Sequence, residues 1–108
     1  MAAKFTLKTT SNGQHLFILH AANGEIILTS ETYTQKQSAE AGIESVRRNA
    51  VDDARYERKT STSGQSFFVL KAANGEPIGS SEMYGSQSGM ESGIESVKKN
   101  APGAEIQS

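Results

Sequence analysis

The chain has 108 residues, 35% of them hydrophobic and 6% aromatic with no Trp, and its eleven Lys+Arg against twelve Asp+Glu give a formal charge of −1. That balance excludes a long-range positive field of the kind that recruits nucleic acid or an anionic membrane. The absence of cysteine excludes disulfides, thiolate metal sites and cysteine nucleophiles.

Lys4 to Thr9 reads as a short first strand. Asn12-Gly13 follows, a hairpin signal because both central positions of such a turn tolerate positive φ. His15 to Ala21 is a second strand, Asn23-Gly24 a second tight turn, and Glu25 to Thr29 the return, so the three strands form an antiparallel meander. In the central strand Phe17 and Leu19 point to one face and Leu16 and Ile18 to the other. A sheet with one wet face alternates apolar and polar residues. This strand does not, and cover is expected on both faces, from a helix on one and from the other half or a partner chain on the second.

A helix comes next. Ala39, Ile43, Val46 and Ala50 recur at i, i+4, i+7 and i+11, with Glu40, Glu44, Arg47 and Arg48 off that stripe. Acids early and bases late suit the helix dipole. Gly42 beside the stripe costs about 1 kcal/mol in helix propensity, so its expected role is a close approach of helix to sheet. Asn49 fits the helix end. Val51 to Ala54 is a linker too short to act as a flexible tether.

From there the chain repeats itself. Residues 56–101 align with residues 5–50 at a constant offset of 51, with half of the paired positions identical. Arg55 to Lys59 is the next strand, then Ser63-Gly64, the strand Ser66 to Lys71 and the turn Asn74-Gly75. Pro77 stands where the first copy has Ile26, so the third strand should begin there or lie at an edge. Met90, Ile94, Val97 and Ala101 restore the helical stripe, Ser88-Gly89-Met90-Glu91 has capping-box spacing, and Pro102 ends the helix. Gly103 to Gln107 is offset-equivalent to the run entering Tyr56, so residues 102–108 form a tail or a short final strand. A unit of about 50 residues with so little apolar content is near the lower limit of independent folding. One domain of two units, 5–50 and 56–101, sharing a core is therefore expected, with α+β architecture.

Tandem copies of Asn-Gly, then Ser-Glu-x-Tyr, then a helix carrying Gly-Ile-x-Ser-Val resemble the bacterial YegP-like family. The residues are Asn23-Gly24, Ser30-Glu31-Thr32-Tyr33 and Gly42-Ile43-Glu44-Ser45-Val46, with copies at Asn74-Gly75, Ser81-Glu82-Met83-Tyr84 and Gly93-Ile94-Glu95-Ser96-Val97. The resemblance covers nearly the whole chain. It implies two β-β-β-α units related by a pseudo-twofold, a shape that single-copy relatives would reach as homodimers. It carries no activity and no catalytic residues to this sequence.

The residues themselves are equally sparing with chemistry. No glycine-rich phosphate loop is present. His15 and His20 are the only histidines and, five apart on one strand, point to opposite faces, which assembles neither a zinc site nor a Ser-His-Asp triad. The most informative polar elements are the two loops holding Glu31, Tyr33, Glu82 and Tyr84. One reading places both Glu-Tyr pairs around a symmetric ligand groove. The other has Ser or Glu satisfying backbone N–H groups while each tyrosine buries its ring and keeps its hydroxyl wet.

The function expected is a non-enzymatic binding or interaction module, self-associating or partnered by a protein, with no cofactor or metal and no membrane contact. No apolar run approaches the ~20 residues of a membrane span, and Met-Ala-Ala-Lys-Phe-Thr contains no signal-peptide core, so a cytoplasmic setting is expected. The alternative is an RNA-associated accessory protein using the helix-end bases Arg47-Arg48 and Lys98-Lys99. Net charge speaks against nucleic acid.

Overall fold

The computed structural model describes residues 3–107. Seven strands and two helices follow in the order β1 (Lys4–Thr9), β2 (His15–His20), β3 (Ile26–Ser30), α1 (Lys36–Asn49), β4 (Tyr56–Thr60), β5 (Ser66–Lys71), β6 (Pro77–Ser80), α2 (Gln87–Asn100) and β7 (Glu105–Gln107). Short 3-10 turns at Asp53–Arg55 and Ala101–Gly103 join each helix to the strand after it. Each unit is a three-stranded meander and a helix, and the fold is α+β with tandem units in one sheet.

The sheet order is β4-β5-β6-β3-β2-β1-β7. The units meet where β3 pairs antiparallel with β6, Thr29 opposite Ser80. These two residues are offset-equivalent, so the pseudo-twofold passes between them. Every strand pair is antiparallel except β1 with β7, which runs parallel and places Phe5 opposite Ile106. The tail is thus a strand, and it makes the sheet mixed. β7 also breaks the symmetry of the edges. It lies against β1, whereas β4 is the opposite end of the sheet and has a partner on one side only. The run Glu57-Arg58-Lys59 on that edge is of the charged kind that discourages strand addition.

The turns differ from the Asn-Gly expectation in one respect. Gly13, Gly24, Gly64 and Gly75 have φ between 84 and 88°, and no other described residue has positive φ. The asparagines act through their side chains instead. Asn23 Oδ1 accepts from the Glu25 N–H at 3.0 Å, and Asn74 Oδ1 from that of Glu76 at the same distance.

Among the described residues the other half does not cover the second face. Phe17, Leu19 and Leu28 in one unit and Phe68 and Leu70 in the other are fully buried beneath Ile43, Val46, Ile94 and Val97 of the helices. Register places all five on the same face of the sheet, so both helices pack there. The opposite face carries the row Glu57, Val69, Ser80, Thr29, Ile18, Thr6 and Gln107. Leu16, Ile18, Phe67 and Val69 are half-buried on it. Among the described residues no second layer of this chain covers this apolar stripe.

Helix ends also differ in detail. Ser86, and not Ser88, caps α2, its Oγ accepting from the Gly89 N–H at 3.0 Å, so Ser88 lies inside the helix. Neither helix has an acid in its first turn, while Arg47-Arg48 and Lys98-Lys99 fill the last turns as the dipole favours. β6 begins at Pro77, so the proline sits at the start of a central strand, where no ladder N–H is lost. β4 begins at Tyr56, because Asp53–Arg55 closes into a 3-10 turn capped by the Asp52 carboxylate.

Candidate functional site

The Ser-Glu-x-Tyr loops leave the ends of β3 and β6 and lead into the helices. Their serines serve the sheet. Ser30 Oγ accepts from the Phe17 N–H at 2.9 Å and donates to the Glu31 carbonyl at 2.7 Å. Ser81 repeats this with Phe68 at 3.0 Å and Glu82 at 2.8 Å. Each loop serine thereby replaces a ladder carbonyl where the third strand departs.

The tyrosines lock the same place from the other side. Tyr33 and His15 exchange both backbone hydrogen bonds at 2.7 Å, and Tyr84 and Ser66 do so at 2.8 and 2.9 Å. The Tyr33 ring stacks on Phe17 with centroids 6.4 Å apart. Its hydroxyl reaches the helix where Gly42 leaves room, and a β-carbon there would stand 2.6 Å from the oxygen. Tyr84 and Gly93 form the same contact in the second unit. Burial, with the nearby Glu31 carboxylate adding to it, raises the Tyr33 pKa. Burial also raises that of Tyr84, followed by the carboxylates of Glu82 and then Glu25. Glu31 and Glu82 themselves are exposed.

Glu25 belongs to the first unit and Tyr84 to the second. They meet at a cleft of about 380 Å³, bounded by Asn23, Glu25, Ile26 and Ile27 on one side, Glu82, Met83 and Tyr84 on the other, and Gly89, Ser92, Gly93 and Ser96 of α2 beneath. The two Glu-Tyr pairs do not share it. Glu82 and Tyr84 border it together with the β2–β3 turn of the other unit, and Glu31 and Tyr33 are absent from its walls. A hollow of about 450 Å³ bordered by Ala21, Asn23, Ser92 and Ser96 continues the cleft along α2 to Lys99.

Asn23, Glu25, Ile26 and Met83 were not legible as site residues. Asn23-Gly24-Glu25 carries a turn signature, and nothing in its spacing tells that one unit's turn lies beside the other unit's loop. The helix-end bases are partly engaged. Arg47 pairs with Glu44 and donates to the Ala104 carbonyl, while Lys98 pairs with Asp53 at 2.7 Å and Glu95 at 3.2 Å. Arg48 and Lys99 are exposed. Among the described residues no group of three or more His, Cys, Asp or Glu is placed to hold a metal, and no helix is long and apolar enough to cross a membrane.

Comparison with known proteins agrees with this architecture. The model of a domain of unknown function, DUF1508, matches twice, over residues 10–57 and 61–107. A UPF0339 protein of Pseudomonas aeruginosa is 55% identical over 104 residues, covering 96% of this chain and 94% of the relative. UPF0339 protein YegP of Escherichia coli is 54% identical over 100 residues, covering 93% and 91%. The solution NMR structure of Escherichia coli yegP, a protein of unknown function, superposes with a TM-score of 0.93 at 50% identity over 99% of this chain and 92% of that one. That of a UPF0339 protein from Shewanella oneidensis gives 0.92 at 44% identity, over 99% and 91%. Two matched domains, relatives above half identity along nearly their whole length and the shared seven-stranded sheet converge on one conclusion: the chain belongs to the UPF0339 family of YegP-like proteins, built from two DUF1508 repeats.

Proposed function

We propose that this chain is a non-enzymatic interaction module that takes a partner in the cleft between its two units. One observation carries the reading. Ile26, 39% exposed, and Met83, 50% exposed, come from different units and both border that cleft, although large apolar residues so exposed are few among the described residues. Convergence of exposed apolar side chains on a concave surface is a mark of interaction sites, whereas single scattered ones are ordinary.

The non-enzymatic part of the reading is supported by how the repeated polar groups are used. Ser30 and Ser81 are held in buried hydrogen bonds to the sheet. The tyrosine hydroxyls lie against helix glycines, and burial moves their pKa further from neutrality than its ordinary 10.0. None is poised as a nucleophile or base. RNA association has less support. Phe17 and Phe68 are fully buried and so are no platform for bases, and Arg47 and Lys98 are held by carboxylates. A cytoplasmic setting belongs to the same proposal and is supported by a sequence free of cysteine.

The test is site-specific photocrosslinking in cells from position 83, with position 51 as control because Val51 is 63% exposed and does not border the cleft. Discrete adducts from 83 that are missing from 51 support the module. Identical patterns from both positions, or none from 83, overturn it.

A further inference from the structure

We infer that the occupant of the cleft is an extended segment of a partner protein in which lysine or arginine stands beside apolar residues. The inference rests on the interaction reading above and specifies its partner.

The walls of the cleft carry one carboxylate from each unit, Glu25 and Glu82. Among the described residues neither is paired with a cation, and the Glu25 carboxylate takes only the side-chain amide of Asn23, at 2.8 Å. Glu44, Asp52, Asp53, Glu57, Glu91 and Glu95 each have an Arg or Lys nitrogen within hydrogen-bonding or ion-pairing distance, while among the described residues Glu31, Glu40, Glu76 and Glu105 have none, so what sets Glu25 and Glu82 apart is that they line one cleft together. Both carboxylates border the same cleft beside Tyr84. Ile26 and Met83 flank that cleft with exposed apolar surface. A long cationic side chain with an aliphatic stem matches both features, since the stem covers apolar surface while the head meets the acids. The same carboxylates repel phosphate and other polyanions.

The duplication supplies an internal control. The pseudo-twofold mate of this site keeps the acids and the tyrosine as Glu76, Glu31 and Tyr33 but has Pro77 in place of Ile26 and Thr32 in place of Met83. It therefore repeats the charge with less apolar surface, Pro77 being smaller than Ile26 and Thr32 polar where Met83 is apolar.

The experiment titrates the full ¹⁵N-labelled chain with a blocked hexapeptide alternating leucine and lysine. A leucine–glutamate counterpart and spermine are run alongside. The lysine peptide should give saturable shifts at the amides of residues 23–26 and 82–84, larger than those at 74–76 and 31–33. Glu25→Gln/Glu82→Gln, which keeps shape and exposed position, should weaken that binding about tenfold. Four results overturn the inference: no saturable shift at the cleft, equal binding of the acidic peptide, equal shifts at both ends, or spermine binding as tightly as the peptide. If it fails while crosslinking from position 83 still yields discrete adducts, the cationic partner is wrong and the interaction module stands. If position 83 also yields nothing, the module itself is wrong.

Discussion

Gly42 and Tyr33 are complementary: a β-carbon on the glycine would lie 2.6 Å from the tyrosine hydroxyl oxygen and 2.9 Å from the Phe17 ring. The helix glycine is thus a socket for a side chain of the same unit. Alanine at this position gains about 1 kcal/mol of helix propensity. We expect Gly42→Ala nonetheless to lose about 1–2 kcal/mol net, because the Tyr33 and Phe17 rings must move out of a packed layer. Tyr33→Phe should recover part of the loss by removing the closest atom. Urea denaturation of the two single variants and the double variant measures this, and additive effects would refute the contact as the cause.

Ser81→Ala should destabilise by about 1–3 kcal/mol, since it leaves the buried Phe68 N–H without its acceptor. Ser30→Ala should cost a similar amount through Phe17. Ser81→Thr, which retains the hydroxyl, is the control for the hydrogen bond itself. Thermal unfolding reads both, and an unchanged midpoint for the alanine variants would show the serines to be dispensable to the fold.

A chain ending at Asp52 should be unfolded or dimeric. It lacks β6, the partner of β3, and β7, the partner of β1. It also loses the Tyr56 hydroxyl bond to the Ala50 carbonyl at 2.7 Å and the Ala104 carbonyl that receives Arg47. A folded monomer by circular dichroism and light scattering would show that one unit can close its own core.

Stability should hold across neutral pH and fall on both sides. Burial, aided by Asp53 and Glu95, holds the Tyr56 pKa well above its ordinary 10.0. A pKa raised by folding gives stability that is complete below the unfolded value and lost as pH rises above it. The alkaline loss should therefore begin near pH 10, with Tyr33 and Tyr84 adding to it. Asp53, Glu57 and Glu91 are lowered, by Lys98 and Arg58, by Lys71, and by Arg58 respectively. Their contributions are present above the ordinary carboxylate values of 3.8 and 4.5 and fade below them. Tyr56→Phe, the residue type its copy Phe5 already has, should flatten the alkaline side while costing about 1–2 kcal/mol at neutral pH. A melting temperature constant to pH 11 in the parent chain would refute the tyrosine assignment.

Local patterns were readable because they rest on local physics. The helical stripes and the glycines of the four turns follow from backbone geometry and period, whereas the sequence left open whether Pro77 starts a strand or marks an edge and whether the tail is a strand, and the structure chose the strand in both. Ser86 as the α2 cap was missed because Ser88 offers a stronger spacing match, and cap choice depends on where the loop delivers the chain. The two-sided apolar pattern of β2 and β5 correctly marked central strands but not what lies beyond them. Leu16, Ile18, Phe67 and Val69 are half-buried, and among the described residues no second layer of this chain lies over them. The Ser-Glu-x-Tyr loops were legible as special. Their companions Asn23 and Glu25 were not, because that contact crosses the boundary between units.

By itself the sequence determined two meanders with a helix each and their shared period, since hydrophobic periodicity and turn chemistry act within a few residues. Only the tertiary structure decided how the two copies stop being equal. Leu28 is fully buried, yet its equivalent Gly79 lies where a β-carbon would stand 2.7 Å from the Thr29 carbonyl oxygen. One strand edge receives β7 and the other remains open. The reason is steric and topological. An exact repeat has no instruction for its own centre or its two ends, and those are the places where a single chain must break its symmetry.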